Sequence, residues 1–112
     1  MDKLATQEIE QRLQQYPEWS LTGDSLQRTF NFETFLQAMS FVVRIAELAE
    51  DLGHHPDILV RYNKVTLTVS THDAGGLTDK DFQFARQADI VISEEAQATV
   101  HTTKRKGAKS RG

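Results

Sequence analysis

The stretch that decides the fold is TFLQAMSFVVRIAELAEDLGHHP, residues 34–56. Residues placed about 100° apart around an axis show helical periodicity from Thr34 to Leu52. Only a narrow face of this helix is polar, and apolar side chains cover most of the rest. Such a surface is wider than the ~100° stripe that one packing partner needs, which indicates that a second side is buried. We expect another subunit to cover that second side.

The end of this helix places two histidines in a constrained corner. Gly53 suits a left-handed helix cap, and Pro56 prevents the helix from resuming. Glu50 falls inside the apolar sector, where burial of an unpaired carboxylate is costly. Two interpretations of Glu50 stand: it reaches water at the rim of the helix end, or it pairs with His54, His55 or a substrate's donor groups.

The flanking segments predict the order helix, hairpin, helix, hairpin, helix. A short helix begins near Thr6, and alternating apolar residues around residues 22–25 predict the first hairpin. In the second hairpin, a turn at Asn63-Lys64 would pair Tyr62 with Val65. His72 continues the outward phase of the last strand, so either it lines the opposite face or a bend turns it back.

The last helix begins with a recognisable cap. Thr78 is the expected N-cap and Asp81 the reciprocal acid of a capping box, and we expect the helix to end near Ser93. The capping role by itself accounts for an acid at position 81, because this spacing is common at helix starts.

The composition predicts a single domain over residues 1–100 and a basic, disordered tail over residues 101–112. The tail holds five of the 13 basic residues and none of the 16 acidic ones, which leaves an acidic body that is not typical of a specific nucleic-acid binder. No apolar run approaches the roughly 20 residues of a membrane span, and the N-terminus lacks the apolar core of a secretory signal. With no cysteine in the chain, we expect a cytoplasmic protein.

Few kinds of chemistry fit these residues. Without cysteine, a Gly-x-Ser-x-Gly turn or a phosphate-binding glycine loop, nucleophilic catalysis and nucleotide binding have no obvious site. His54, His55, His72 and Glu50 are possible metal ligands, but adjacent histidines after a helix cap diverge and no His-Glu-x-x-His spacing is present. Acid/base catalysis without a metal is favoured, because imidazole titrates near neutrality.

Three segments occur together at specific spacings: Ala49-Glu50-x-Leu52-x-His54-His55-Pro56, Tyr62-Asn63-Lys64-Val65, and Ser70-Thr71-His72-x-x-x-Gly76-Leu77-Thr78-x-x-Asp81. This set closely resembles the pterin-4a-carbinolamine dehydratases, also called 4a-hydroxytetrahydrobiopterin dehydratases or dimerisation cofactors. The resemblance covers all but the basic tail. It implies an α+β fold in which two hairpins form a four-stranded antiparallel sheet with three helices packed on one face.

The resemblance also implies an activity, the metal-free and cofactor-free dehydration of 4a-hydroxytetrahydropterin to quinonoid dihydropterin. This reaction recycles the cofactor of aromatic amino-acid hydroxylases, so a hydroxylase is a possible partner. The implied catalytic set is His54, His55 and His72, with His54 and His72 transferring protons and His55 orienting the pterin. The implied substrate-binding residues are Glu50, Pro56, Tyr62, Thr71 and Asp81, with Asp81 also able to position a histidine.

The chain departs from the family pattern at Gly53, where some members carry an acid. This removes a possible charge next to His54. The resemblance implies self-association through the sheet edge and the long helix, as a homodimer or homotetramer. The alternative to an enzyme is a non-catalytic interaction protein, because relatives also act as dimerisation cofactors of a transcription factor.

Overall fold

The computed structural model describes the backbone of residues 2–105 and the side-chain environments of residues 2–95. The elements follow the predicted order. They are α1 (Thr6–Leu13), β1 (Ser20–Thr22), β2 (Ser25–Asn31), α2 (Phe35–Leu52), β3 (Asp57–Arg61), β4 (Lys64–Val69), a 3-10 turn (His72–Ala74) and α3 (Asp79–Arg105).

The four strands form one antiparallel sheet in the order β1-β2-β4-β3. Each hairpin pairs internally, and β2 joins β4 across the middle of the sheet, with Leu26 opposite Val69 and Phe30 opposite Val65. One face is apolar and buried, while the other carries polar cross-strand pairs such as Thr29 with Thr66, whose Oγ1 atoms lie 2.8 Å apart. The predicted sheet of two hairpins is confirmed.

The three helices cover the apolar face of the sheet, as predicted. The core residues are Trp19, Leu26, Phe30, Ala38, Phe41, Ile45, Ala49, Val65, Leu67, Val69, Leu77, Phe82, Phe84, Ala85, Ala88 and Val91. The helices α2 and α3 are also joined by Arg44, which donates to Glu94 at 2.5 Å and to Glu95 at 3.1 Å. The hydrogen bonds to Glu94 and then Glu95 raise the pKa of Arg44 above its usual value.

The predicted register of the second hairpin is wrong. Val60, not Tyr62, lies opposite Val65, and the turn is formed by Tyr62 and Asn63 instead of Asn63 and Lys64. Tyr62 takes a left-handed backbone with φ of 55° and its side chain is 69% exposed. The core face stays as predicted because the register moves by two residues, which preserves the side-chain phase of β3.

The last helix, α3, continues to Arg105, beyond its predicted end near Ser93. No glycine or proline occurs between Ser93 and Gly107, so no local signal stops the helix there. Residues 101–105 of the predicted basic tail therefore continue the helix, and residues 106–112 lie outside the described residues. Among the described helices, none combines the length and hydropathy needed to cross a membrane.

The wide apolar stripe of α2 is only half covered within one chain. Ala38, Phe41, Ile45 and Ala49 face the sheet and α3, whereas other apolar side chains of the helix remain accessible. The large exposed ones are Phe35 at 46%, Leu36 at 79% and Val43 at 56%. The predicted contact between subunits through this surface, which we call the outer face of α2, stays a prediction.

Candidate active site

The C-terminus of α2 is closed by a backbone motif centred on Gly53. Gly53 has φ of 63°, its N–H donates to the Glu50 carbonyl at 3.3 Å, and the His54 N–H donates to the Ala49 carbonyl at 3.1 Å. This pair of bonds is the Schellman arrangement, which favours glycine because left-handed backbone is strained in other residues. The predicted cap is confirmed, and it fixes the direction in which His54 leaves the helix.

Replacing Gly53 by alanine should destabilise the protein by about 1–2 kcal/mol, because alanine is strained at this positive φ. Apart from Gly53 and its chain neighbours, no atom of the described residues lies within 4 Å of a Cβ at this position, so strain and not a clash is the expected cause. Urea unfolding would measure the loss. Gly53→Asn is the matched control, since asparagine tolerates left-handed backbone better; equal losses for the two variants would contradict this explanation.

The two adjacent histidines diverge in direction and in burial. The His54 side chain is 11% exposed and its Nε2 lies 2.7 Å from Oδ1 of Asp81. The His55 side chain is 62% exposed and its Nε2 lies 2.5 Å from Oε2 of Glu50. Each imidazole therefore has a carboxylate partner that orients its ring, but only the pair of His54 and Asp81 is shielded from water.

Asp81 is fully buried, and both of its oxygens lie within hydrogen-bond distance of a partner. Its Oδ2 accepts from the Thr78 N–H at 2.9 Å and from the Thr71 hydroxyl at 2.7 Å, while Oδ1 faces His54. The Thr78 hydroxyl accepts from the N–H of Lys80, the second residue of α3, at 3.2 Å. The Asp81 half of the predicted capping box is present, while the N-cap hydroxyl binds the N–H of Lys80 and not that of Asp81. Asp81 therefore both caps α3 and positions His54. These bonds compensate for the burial of a carboxylate.

The interpretation that placed Glu50 on a buried face is wrong for the single chain. The Glu50 side chain is 75% exposed, as the rim interpretation expected, and it also pairs with His55. Its helical position lies next to Val43 and Ala46, which are themselves exposed on the outer face of α2. The apolar neighbours of Glu50 are present as predicted, but no element within the described residues packs over them.

The chain leaves the sheet before it reaches His72. Strand β4 ends at Val69, and Thr71 forms an isolated bridge with Gly76. His72 then begins the 3-10 turn with its side chain exposed. The turn breaks the strand alternation, and His72 takes no part in the hydrogen bonds that join Asp81 to His54. The residue before it, Thr71, is buried and donates a hydrogen bond to Asp81. His72 is therefore one residue away from the hydrogen bonds that hold Asp81.

Pro56 and Tyr62 lie at opposite ends of β3. Pro56 is half-buried and connects His55 to the start of this strand. Tyr62 follows the far end, and five strand residues span about 16 Å. Within one chain Tyr62 therefore lies far from His54 and His55, because the full length of β3 separates them, and its side chain is exposed in the turn.

Thr78 belongs to the network, although the sequence indicated only an N-cap there. It is fully buried, and its Oγ1 lies 2.8 Å from Oγ1 of Thr71. The N-cap position was the available signal, since it places the Thr78 hydroxyl near the start of α3 beside Asp81. In the part of the chain that the structure describes, histidine and acidic side chains form no group of three or more that could hold a metal ion.

The chain is similar to known proteins in both sequence and fold. The family model described as pterin 4 alpha carbinolamine dehydratase matches residues 2–91. A relative from Chloroflexus aurantiacus, named provisionally as a pterin-4-alpha-carbinolamine dehydratase, is 49% identical over 92 residues that cover 82% of this chain and 99% of the relative. A relative from Roseiflexus castenholzii with the same provisional name is 53% identical over 85 residues, covering 76% of this chain and 91% of the relative.

Two solved structures share the fold. The crystal structure of a transcriptional coactivator/pterin dehydratase from Brucella melitensis matches with a TM-score of 0.77 and 30% identity, covering 80% of this chain and 98% of that one. A pterin dehydratase-like protein identified as a RuBisCO assembly factor in the alpha-carboxysome matches with a TM-score of 0.54 and 24% identity, covering 65% and 84% of the two chains. The second likeness concerns the fold alone.

Proposed function

Because the chain belongs to the pterin-4a-carbinolamine dehydratase family, we propose that it dehydrates 4a-hydroxytetrahydropterin to quinonoid dihydropterin and water. The observation that carries this proposal is the shielded pair of His54 and Asp81, 2.7 Å apart at the end of α2. A buried carboxylate that orients one imidazole is an arrangement suited to proton transfer. The sequence has no thiol and no phosphate-binding loop, and the proposed reaction requires neither of them.

The reaction requires two proton transfers. An acid protonates the 4a-hydroxyl as it leaves as water, and a base removes the proton from N5 as the C4a–O bond breaks and the N5–C4a double bond forms. We assign these steps to His54 and His72, the second lying on the turn that follows Thr71. Proton transfer by a positioned imidazole typically contributes 10²- to 10⁴-fold to a rate.

His55 and Glu50 form the exposed part of the proposed site. Their side chains meet at 2.5 Å beside the α2 terminus, where a carboxylate can accept from the donor groups of a pterin ring. Pro56 and Thr71 border the same corner from the start of β3 and the end of β4. We assign His55 and Glu50 to orientation of the pterin, and we assign no contact within the same chain to Tyr62.

The test is a steady-state assay of the purified protein with freshly prepared 4a-hydroxytetrahydropterin. We expect the protein to accelerate dehydration above the spontaneous rate, in the presence of a chelator as well as without it. A rate equal to the spontaneous one would refute the proposed activity. Coupling the assay to an aromatic amino-acid hydroxylase would test whether the product returns to that enzyme's cofactor cycle.

A second candidate function is that of an interaction protein. It is favoured by the accessible apolar side chains on the outer face of α2 and by the name of the Brucella melitensis protein, which includes transcriptional coactivator. Pull-downs from cell extract, run beside the dehydration assay, separate the two functions. Full activity with no captured partner would exclude a purely interacting role.

The outer face of α2 also supports self-association as a homodimer or homotetramer. The exposed Leu36 and Val43 side chains form part of an apolar surface that a second copy would remove from water. Light scattering at micromolar concentration should give a mass above that of one chain, and Val43→Glu should lower it. Ile90→Glu, an equivalent change at a 42% exposed position on α3, is the control. A monomeric wild type would refute the prediction.

A further inference from the structure

The hydrogen bonds around Asp81 have only one consistent set of directions. The Thr78 backbone N–H can only donate, and it points at Oδ2 of Asp81. The Thr71 hydroxyl lies 2.7 Å from the same oxygen and 2.8 Å from the Thr78 hydroxyl. Because two acceptors would repel at 2.7 Å, Thr71 gives its single proton to Asp81 and accepts one from Thr78.

This chain of donors saturates one oxygen of Asp81 and leaves the other for His54. The Thr78 hydroxyl accepts from the Lys80 N–H and gives its single proton to Thr71, so its only donor is used inside the cap. Thr71, Thr78 and Asp81 are all buried, so water does not compete for these positions. The carboxylate therefore cannot rotate to exchange its two oxygens without breaking two buried hydrogen bonds.

We propose that Thr71 and Thr78 are positioning residues that hold Asp81 as an acceptor toward His54, which then carries its ring proton on Nε2 and presents Nδ1 to the substrate. An ionised carboxylate can only accept hydrogen bonds. A hydrogen bond between His54 Nε2 and Asp81 Oδ1 therefore requires that Nε2 carry the ring proton. The statement about the substrate rests on the proposed function. The statement about the tautomer rests only on the hydrogen bonds.

The assignment limits His54 to proton transfer through a single atom. In the neutral ring Nδ1 holds the lone pair and accepts a proton, and in the imidazolium Nδ1 gives the same proton back, while the Nε2 proton stays with Asp81. His55 differs, because its partner Glu50 is exposed and none of the described residues gives that carboxylate a buried donor. The network therefore sets the reactive atom of His54 but not that of His55.

The test is the ring tautomer of His54, read from long-range ¹H–¹⁵N correlation spectra without substrate, at a pH where the ring is neutral. The His54 signals are assigned by their loss in His54→Gln. In the wild type we expect the proton on Nε2. In Asp81→Asn the Thr71 and Thr78 donors should hold the carboxamide oxygen, which turns its NH₂ group toward His54. Because that group can only donate, the His54 proton should move to Nδ1.

Two tautomer results would overturn the proposal: a wild-type proton on Nδ1, or an Asp81→Asn variant that keeps the proton on Nε2. The same type of change is known from the Ser-His-Asp triad of serine proteases. There, asparagine in place of the aspartate that orients the histidine lowers the rate about 10⁴-fold, because the histidine takes the wrong tautomer. We expect a loss approaching that size here if the proposed dehydration is correct. A protein with the expected tautomers and no dehydration would refute the proposed function and leave the tautomer inference intact.

If Asp81→Asn does not fold, variants of Thr71 decide the question. Thr71→Val keeps the shape but removes the hydroxyl, and Thr71→Ser keeps the hydroxyl. We expect Thr71→Val to lower kcat roughly 10- to 100-fold with little change in KM, because a small misplacement of a catalytic group has effects of that order. Thr71→Ser should restore most of the rate. Equal kcat values for Thr71→Val and the wild type would overturn the proposal.

Discussion

The variant His54→Ala is expected to lose about 10²- to 10⁴-fold in kcat for dehydration of 4a-hydroxytetrahydropterin, the range typical of a general acid or base. His54 is the only imidazole among the described residues that is both shielded from water and held by a buried carboxylate. Removing the ring deletes a proton-transfer group whose position the α2 cap and Asp81 both determine. The rest of the site should still bind the pterin, so KM should change much less than kcat.

The control for His54→Ala must show that the fold survives. Circular dichroism and the unfolding midpoint of the variant should remain close to those of the wild type. The second control is Gln27→Ala on the open face of the sheet. The Gln27 side chain donates to Thr68 at 3.0 Å and has no role in the proposed site, so the rate should not change. A His54→Ala variant with the wild-type kcat would exclude His54 from the chemical step and would count against the enzyme proposal.

The variant Phe41→Ala is expected to lower the free energy of unfolding by about 3–5 kcal/mol, the usual cost of truncating a buried phenylalanine. The Phe41 side chain is fully buried, and its ring centroid lies 4.6 Å from that of Phe30 and 5.2 Å from that of Phe32. It is therefore the contact between α2 and the middle of the sheet. Because small domains have only 5–15 kcal/mol of stability in total, this loss is a large share.

Urea unfolding followed by circular dichroism would measure the Phe41 effect. Gln83→Ala, at an exposed position of α3, should stay within about 0.5 kcal/mol of the wild type. A loss below about 1 kcal/mol for Phe41→Ala would mean that the surrounding rings collapse into the cavity, in conflict with the close packing of the core. Loss of dehydration in Phe41→Ala would follow from unfolding, and the unfolding curve separates it from a direct effect.

Local sequence signals predicted the order of the elements and the caps of α2 and α3, but not the end of α3. The bounds of α2, the left-handed Gly53 and the capping box of Thr78 and Asp81 all follow from residues within four or five positions of one another. Such features depend on backbone geometry and short side chains, which the neighbouring sequence supplies. The inward phase of β3 and β4 was predictable for the same reason, although their register was not.

Only the tertiary structure decided which of these residues share a site and which are buried. The sequence predicts that Asp81 caps α3. Its second hydrogen bond, to His54, depends on how α3 packs against the end of α2. The sequence places Glu50 among apolar neighbours on the helical wheel. The wheel does not show whether another element covers those neighbours, so it could not predict that Glu50 is exposed. The two-residue shift of the hairpin puts Tyr62 in the turn instead of opposite Val65 while leaving the apolar pattern unchanged, so periodicity alone could not detect it.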